Sequence, residues 1–170
     1  KPGTGKTLTV RYVTKNLGAV AKQNNVVLDF LYLNCKMKKV ADTEYRVIAQ
    51  LAREIGKNIP ATGLPTEEVY KMFFGALEDK GGTIILILDE IDQLVRKAGD
   101  EILYNLTRVN EELRNTQISI IGVSNDLMFI DNIDPRVKSS LSEEEILFGP
   151  YNALQLQDIL RERCRLAFKP

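Results

Sequence analysis

The chain is 170 residues long, 44% hydrophobic and 27% charged, which suits one folded domain with a sizeable core. Its 23 basic residues balance 23 acidic ones, so no global field draws it to nucleic acid or membrane, and any nucleic-acid contact must come from a local patch. Histidine is absent and no apolar run approaches the roughly 20 residues of a spanning helix, which excludes histidine-based catalysis and most zinc sites and leaves a membrane role without support.

The first seven residues, Lys1-Pro2-Gly3-Thr4-Gly5-Lys6-Thr7, fit the second half of the phosphate-binding loop pattern Gly-x-x-x-x-Gly-Lys-Ser/Thr. In such a loop, backbone N–H groups turn inward around an anion, the lysine reaches the terminal phosphates and the hydroxyl ligates magnesium. Lys6 supplies that charge here and Thr7 that hydroxyl. The residues predicted to bind the nucleotide are Pro2, Gly3, Thr4, Gly5, Lys6, Thr7 and Leu8. The alternative is an ordinary Gly/Thr turn before a helix.

Apolar residues at helical spacing alternate with short β-rich apolar runs along the chain. In chain order they predict helix 6–23, strand 26–33, helix 42–55, loop 57–65, helix 66–80, strand 83–88, helix 100–114, strand 117–123, helix 135–141, strand 145–148 and a last helix opening after Asn152. The first helix leaves the phosphate loop directly, so its amino end points at the phosphates. Thr66 is predicted to cap its helix, and Asn152 with Gln155 resembles a capping box. The alternation indicates an α/β fold with an open, mostly parallel sheet flanked by helices.

The strand that should precede a phosphate-binding loop is not in this sequence, and the chain stops at Pro170, in or just after a helix. A parallel sheet that lacks an inner strand leaves backbone donors and acceptors unpaired. We therefore expect a fragment of a larger protein. Either the given sequence begins later than the protein does, or the fragment is genuine and its sheet is rearranged.

The most hydrophobic run in the chain, residues 83–88, is followed at once by Asp89 and Glu90. A buried parallel strand would deliver both carboxylates at its carboxyl-terminal edge. We predict that Asp89 holds magnesium, directly or through water, and that Glu90 orients or deprotonates the attacking water. The alternative is a buried strand that simply ends in acidic loop residues. The order of the phosphate loop and this acidic pair favours a nucleotide hydrolase site.

Two further polar residues are candidates for the same site. Asn125 follows the third predicted strand, where its side chain can hydrogen-bond the γ-phosphate or the attacking water; the alternative is a strand-ending turn. Arg136 lies in the first turn of the helix that opens with Asp134 and Pro135. It is predicted to act as an arginine finger on a neighbouring subunit's nucleotide, and the alternative is a surface arginine paired with Asp or Glu.

These motifs together resemble those of the AAA+ ATPases. More narrowly, they are similar to those of the archaeal replication initiators related to the origin recognition complex and to the cell-division-control loader protein. The resemblance covers nearly the whole chain and is carried by Pro2-Gly3-Thr4-Gly5-Lys6-Thr7, Ile87-Leu88-Asp89-Glu90-Ile91-Asp92, Ser124-Asn125 and Asp134-Pro135-Arg136-Val137-Lys138-Ser139-Ser140-Leu141.

The resemblance implies a P-loop NTPase sheet whose central strand precedes the phosphate loop, followed by a helical lid and a winged-helix DNA-binding domain. It makes residues 1–149 a truncated AAA+ core that lacks this first strand, and residues 150–170 the start of the lid. Residues of about 42–80 would be a helical insertion that touches origin DNA, with its loop 58–65 as the candidate contact. A second sensor arginine would lie in the lid beyond Pro170.

By the same resemblance, Lys6 and Thr7 bind ATP and magnesium, Asp89 and Glu90 form the Walker B pair, Asn125 is the first sensor and Arg136 is the finger. The implied cofactors are ATP or ADP and Mg²⁺. The implied partners are origin double-stranded DNA, the replicative helicase and other initiator subunits. Nucleotide state would govern DNA binding and helicase loading as a slow ATP switch.

The two cysteines, Cys35 and Cys164, lie far apart in a chain without a secretory signal and are predicted to be reduced. The cytoplasm is therefore the expected compartment, and the resemblance implies association with the nucleoid. Two other functions stay open. One is an AAA+ or signalling ATPase that drives assembly of a different complex, and the other is a nucleotide-independent interaction fragment that keeps the fold without turnover.

Overall fold

The computed structural model describes residues 2–37, 42–60, 62–141 and 144–168. Within these ranges the chain contains helices α1 (Lys6–Gln23), α2 (Glu44–Glu54), α3 (Thr66–Lys80), α4 (Ile91–Ala98), α5 (Glu101–Arg108), α6 (Phe129–Asn132), α7 (Pro135–Leu141) and α8 (Ala153–Ala167), a 3₁₀ turn (Val109–Glu111), and strands β1 (Leu28–Asn34), β2 (Gly82–Asp89) and β3 (Thr116–Val123). Two residues named in the sequence analysis, Lys1 and Pro170, lie outside the described residues. Ala61 of the predicted loop lies outside them as well.

The three strands form a parallel sheet in the order β1-β2-β3, which confirms the predicted α/β class. Register pairs Asn34 with Asp89 and Asp89 with Val123, so the carboxyl ends of all three strands lie level at one edge. Residues that directly follow β2 and β3 are therefore neighbours, as ligand-binding residues are in other open α/β sheets.

Side chains alternate between the two faces of this sheet. One face packs under α2, α3, α4 and α5 and holds most of the buried core. It is lined by Leu31 and Leu33 of β1, Ile84, Leu86 and Leu88 of β2, and Ile118 of β3. The opposite face carries Phe30 and Tyr32 against α1, where a Cβ on Gly18 would lie 3.2 Å from the Phe30 ring. A glycine at position 18 therefore lets α1 lie close to β1.

The apolar stripe that marks α1 in the sequence is exposed. Leu8, Val13, Leu17 and Val20 keep between 40% and 65% of their accessible surface. In the described part of the chain α1 packs chiefly on β1. The spacing of these residues predicted the helix correctly, although it gave no information about what covers the stripe.

Two predicted features are wrong. Residues 145–148 do not form a strand: Ile146 and Leu147 are 78% and 72% exposed, and no ladder hydrogen bond is found for them among the described residues. A strand requires a paired neighbour, and an apolar run alone does not supply one. Thr66 is not an N-cap but the first helical residue of α3, since Pro65 occupies the cap position.

Other boundaries shift for visible reasons. The N–H of Val26 donates to Ala21 at 2.9 Å and so belongs to the end of α1, which delays the start of β1. The side chain of Asn110 bonds both N–H and C=O of Ile118 at 2.8 Å, so the helix predicted to reach 114 gives way to the 3₁₀ turn. The capping box of Asn152 and Gln155 is confirmed. No helix in the described ranges combines the length and apolar character needed to cross a membrane.

The two cysteines are free but differ in environment, which leads to a first prediction. Burial, and then the charge of Asp89, raise the pKa of the Cys35 thiol to about 12, whereas Cys164 is exposed on α8. Because the thiolate is the nucleophile, we expect iodoacetamide at pH 8 to alkylate Cys164 in the native protein and Cys35 only after denaturation, as read by peptide mass spectrometry. The Cys164→Ser variant is the control; rapid native labelling of that variant would contradict the described burial of Cys35.

Candidate functional site

The phosphate loop, defined as residues 2–7, leads directly into α1. Gly3 and Gly5 have φ values of 81° and 85°, a left-handed conformation that glycine adopts without steric cost. Gly5 caps the helix, and its carbonyl accepts the first helical hydrogen bond from Thr9 at 2.8 Å. The amino end of α1, where backbone N–H groups have no partner within the helix, therefore adjoins the loop, which is the arrangement that binds phosphate in other proteins.

Tyr151 fixes this loop from the other end of the chain. Its hydroxyl donates to the carbonyl of Thr4 at 3.1 Å. A Cβ built on Gly5 would lie 2.6 Å from the Tyr151 hydroxyl oxygen. Gly5 is thus required both for its φ and for the close approach of Tyr151. Thr4 is buried, and its hydroxyl accepts a hydrogen bond from the Lys6 amine at 3.4 Å. Leu8, the last residue predicted to bind nucleotide, is 65% exposed at the start of α1.

Asp89 ends β2 with its carboxylate turned toward α1. Thr7 Oγ1 donates to Asp89 Oδ2 at 2.9 Å, although the two residues are 82 positions apart. Only 3% of Asp89 is accessible, and the backbone N–H of Glu90 donates to its other oxygen at 3.1 Å. The structure therefore brings together the two residues predicted to hold magnesium.

A tyrosine that the sequence did not single out also contacts this carboxylate. Tyr32 on β1 donates its hydroxyl to Asp89 Oδ2 at 2.6 Å. Burial, and then this hydrogen bond, raise the pKa of Tyr32, so the phenol stays protonated and remains a donor. The only sign of this contact in the sequence is a tyrosine within an apolar strand. Its partner, Asp89, follows only from the register between β1 and β2.

Glu90 adopts a left-handed conformation with φ 56° and ψ 46°. Positive φ is uncommon for a residue other than glycine and is found more often at functional sites than elsewhere. The turn lets the chain leave β2 and start α4 at once. The Glu90 carboxylate is only partly exposed and lies 3.7 Å from the amine of Lys36, which follows β1. Glu90 thus lies at the same sheet edge as Asp89.

Asn125 follows β3 at this edge and is held by an acid from α4. Asp92 is 5% exposed, and its Oδ1 accepts hydrogen bonds from Ser124 Oγ at 3.1 Å and from the Asn125 N–H at 3.4 Å. Asp92 therefore fixes the segment that carries Asn125 against the helix that follows Glu90. In the sequence Asp92 is recognisable only as the last residue of the motif 87–92, and nothing there predicts its role.

Arg136 lies on α7 and is engaged within the chain. Its guanidinium donates to both carboxylate oxygens of Asp134 at 2.8–3.2 Å. It also lies 4.6 Å from the centroid of the Tyr104 ring, and the guanidinium of Arg108 lies 4.9 Å from the same centroid. The hydrogen bonds from Arg136 lower the pKa of Asp134. Arg136 is thus a surface arginine paired with an aspartate in this chain. Its action on a neighbouring subunit stays a prediction.

The side chains near the loop suit a magnesium–nucleotide complex. Among the described residues, no group of three or more His, Cys, Asp and Glu is arranged to hold a metal alone. Magnesium in nucleotide sites needs fewer protein ligands, because it keeps several waters and binds the phosphates. The Thr7 hydroxyl and the Asp89 carboxylate are hard oxygen donors in contact with each other, so the donor set fits this ion.

Comparison with known proteins agrees with this geometry. Residues 1–130 match a family model described as an AAA domain, so the chain belongs to the AAA domain family. The narrower resemblance to archaeal replication initiators is confirmed as well. The chain is 49% identical over 172 residues to the ORC1-type DNA replication protein of Thermococcus onnurineus, covering 99% of this chain and 41% of that protein.

Solved structures give the same result. The chain aligns with the Aeropyrum pernix ORC1 protein in complex with DNA at a TM-score of 0.88 and 42% identity, covering 99% of this chain and 42% of that one. The Aeropyrum pernix ORC2 protein, solved as ADPNP–ADP complexes, aligns at a TM-score of 0.80 and 24% identity. The alignment covers 98% of this chain and 43% of that one, and it shows the shared fold. The chain thus spans about two fifths of the length of these relatives.

Proposed function

We propose that the chain is the ATP-binding and ATP-hydrolysing module of a DNA replication initiator that binds origin double-stranded DNA and helps to load the replicative helicase. The proposal is carried by the 2.9 Å hydrogen bond from Thr7 to Asp89, which joins the phosphate loop to the acidic end of β2. An AAA domain at residues 1–130 and the ORC1-type relatives support it.

Each site residue has a task in this proposal. Backbone N–H groups of the phosphate loop and the Lys6 amine would bind the β- and γ-phosphates. Thr7 and Asp89 would hold the magnesium ion, which would supply positive charge against the phosphates. Glu90 orients the attacking water and takes up its proton as the bond to the γ-phosphorus forms and the β–γ bridge breaks. Asn125 contacts the γ-phosphate or this water, so the site distinguishes ATP from ADP. Arg136 serves the nucleotide of a neighbouring subunit.

The domain assignment follows the same proposal. Residues 1–149 form the nucleotide-binding core, and residues 150–170 start a helical lid. The contact of Tyr151 with Thr4 supports a link between this lid and the phosphate loop, because it ties the residue before α8 to the loop backbone. A lid that senses nucleotide would need such a link.

DNA contact is proposed for the helical insertion at about 42–80. Tyr45 on α2 donates to the carbonyl of Pro60 at 2.7 Å and so ties this residue of the predicted loop to the helix. Arg46, in the same turn of α2, has a side chain that is 47% exposed and lies 3.6 Å from the Asp42 carboxylate; in this proposal it exchanges that partner for a DNA phosphate. The A. pernix ORC1 protein was solved in complex with DNA, which supports the same partner here. The expected location is the nucleoid.

Nucleotide turnover and DNA binding in the intact protein test this proposal. We expect saturable MgATP binding, slow phosphate release, and an affinity for an origin-containing duplex that differs between ATP and ADP by at least about fivefold, the lower end of usual coupling energies. Fluorescence anisotropy with labelled duplexes measures this difference, and a scrambled duplex is the control. ATP turnover without nucleotide-dependent DNA binding would indicate another ATPase. No ATP binding would indicate an interaction fragment.

A further inference from the structure

Tyr32 lies next to the carboxylate on which the proposed magnesium site depends. Its hydroxyl donates at 2.6 Å to Asp89 Oδ2, the same oxygen that accepts the 2.9 Å hydrogen bond from Thr7. The other oxygen, Oδ1, accepts the backbone N–H of Glu90 at 3.1 Å. Among the described residues, the Asp89 carboxylate therefore receives three hydrogen bonds, from α1, from β1 and from the next residue, and two of them converge on one oxygen.

The strand register explains why Tyr32 reaches this position. Asn34 pairs with Asp89, so Tyr32, two residues earlier on β1, points to the same face of the sheet. That face carries α1. Arg11 follows Thr7 by one helical turn, and its guanidinium lies 4.8 Å from the centroid of the Tyr32 ring. Two successive turns of α1 thus contact Asp89 and the tyrosine that bonds to it.

This arrangement decides which carboxylate oxygen is available to a cation. A carboxylate offers about four lone-pair positions. Thr7 and Tyr32 occupy both positions on Oδ2, whereas the described residues supply one donor to Oδ1. Oδ1 therefore keeps a lone pair for magnesium or for a water in its hydration shell. Without Tyr32, Thr7 alone among the described residues would hold Oδ2, so rotation of the carboxylate about its Cβ–Cγ bond would be less restricted.

We propose that Tyr32 is a positioning residue for the metal site, which holds the Asp89 carboxylate so that Oδ1 faces the magnesium ion of a bound nucleotide. This inference rests on the proposed nucleotide function and adds to it a residue of β1, which carries no part of the phosphate loop or the acidic pair. Tyr32 would act through Asp89 and touch neither nucleotide nor metal. Hydrogen bonds of this kind to metal ligands commonly change metal affinity by about 10- to 100-fold.

The Tyr32→Phe variant tests the inference, because it removes the hydroxyl and keeps the ring under Arg11. Binding of a fluorescent, non-hydrolysable ATP analogue to the intact protein is measured over a range of magnesium concentrations and in EDTA. We expect the magnesium concentration for half-maximal binding to rise about tenfold. Affinity in EDTA should stay within about twofold of wild type, since the phosphate loop is untouched.

The Tyr70→Phe variant is the matched control. Tyr70 also donates its hydroxyl to a carboxylate, that of Glu44 at 2.5 Å, but on α3 and on the other side of the sheet. It should leave the magnesium dependence unchanged, so an equal shift in both variants would indicate general destabilisation and overturn the inference. Wild-type magnesium dependence in a folded Tyr32→Phe protein, checked by circular dichroism, would also overturn it. Absence of analogue binding to the wild type would refute the proposed function itself.

Discussion

Replacement of Lys6 by alanine is expected to reduce MgATP affinity at least 100-fold, the largest effect on binding that we predict. In the proposed function the Lys6 ammonium group contacts the terminal phosphates, and hydrogen bonds to charged groups contribute about 1.5–3 kcal/mol each. Two such bonds correspond to a factor of roughly 100 to 20,000 in the dissociation constant. Isothermal titration calorimetry of the intact protein with MgATP measures this change.

The same substitution should leave the fold intact. Lys6 is a half-buried residue at the start of α1 and is not part of the hydrophobic core, and its amine bonds the Thr4 hydroxyl at 3.4 Å. Lys15→Ala is the matched control, because Lys15 is an exposed lysine of the same helix beyond the phosphate loop. Equal ATP affinity in wild type and Lys6→Ala would refute the proposed contact between this lysine and the phosphates.

The convergence of Thr7 and Asp89 could be predicted because it depends on general rules of α/β folds. A glycine-rich loop opens a helix, and buried parallel strands end at a common edge. Both rules use short stretches of sequence, so they apply to Thr7 and Asp89 without knowledge of the spatial distance between them. The fold class follows from the same alternation of helices and strands.

Tyr32 and Asp92 could not be assigned from the sequence, because their partners depend on register and on a short helix. A slip of one residue between β1 and β2 would turn Tyr32 to the opposite face of the sheet. Asp92 reaches Ser124 only because α4 begins immediately after Glu90, and the eight residues of this helix are too few for a clear periodic signal. Side-chain networks of this kind can be identified only from the three-dimensional structure.

The incorrect strand at 145–148 has a related cause. An apolar β-rich run shows that a segment is suited to pairing, but pairing needs a neighbour at the right distance. The described strands end at β3 on one side and at β1 on the other, and the segment pairs with neither. The exposed stripe on α1 shows the same limit: periodicity identifies the element, whereas its packing depends on what lies beside it.

Replacement of Glu90 by glutamine is expected to separate ATP binding from ATP hydrolysis. Glutamine keeps the size of the side chain and a polar tip, and the backbone N–H that bonds Asp89 is unaffected. It cannot take a proton from water. General-base catalysis contributes about 100- to 10,000-fold to rate, so the turnover number should fall by that factor while the dissociation constant for MgATP stays within about threefold.

Two measurements on one variant distinguish this outcome from simple damage to the site. Phosphate release gives turnover, and calorimetry gives affinity; loss of both would indicate that Glu90 supports binding rather than catalysis. The 3.7 Å ion pair with Lys36 is a surface contact, so its loss should cost little stability. Glu112→Gln, an exposed glutamate near the opposite end of β3, is the matched control. Undiminished hydrolysis in Glu90→Gln would exclude Glu90 as the base, and the water would then have to be activated by another group.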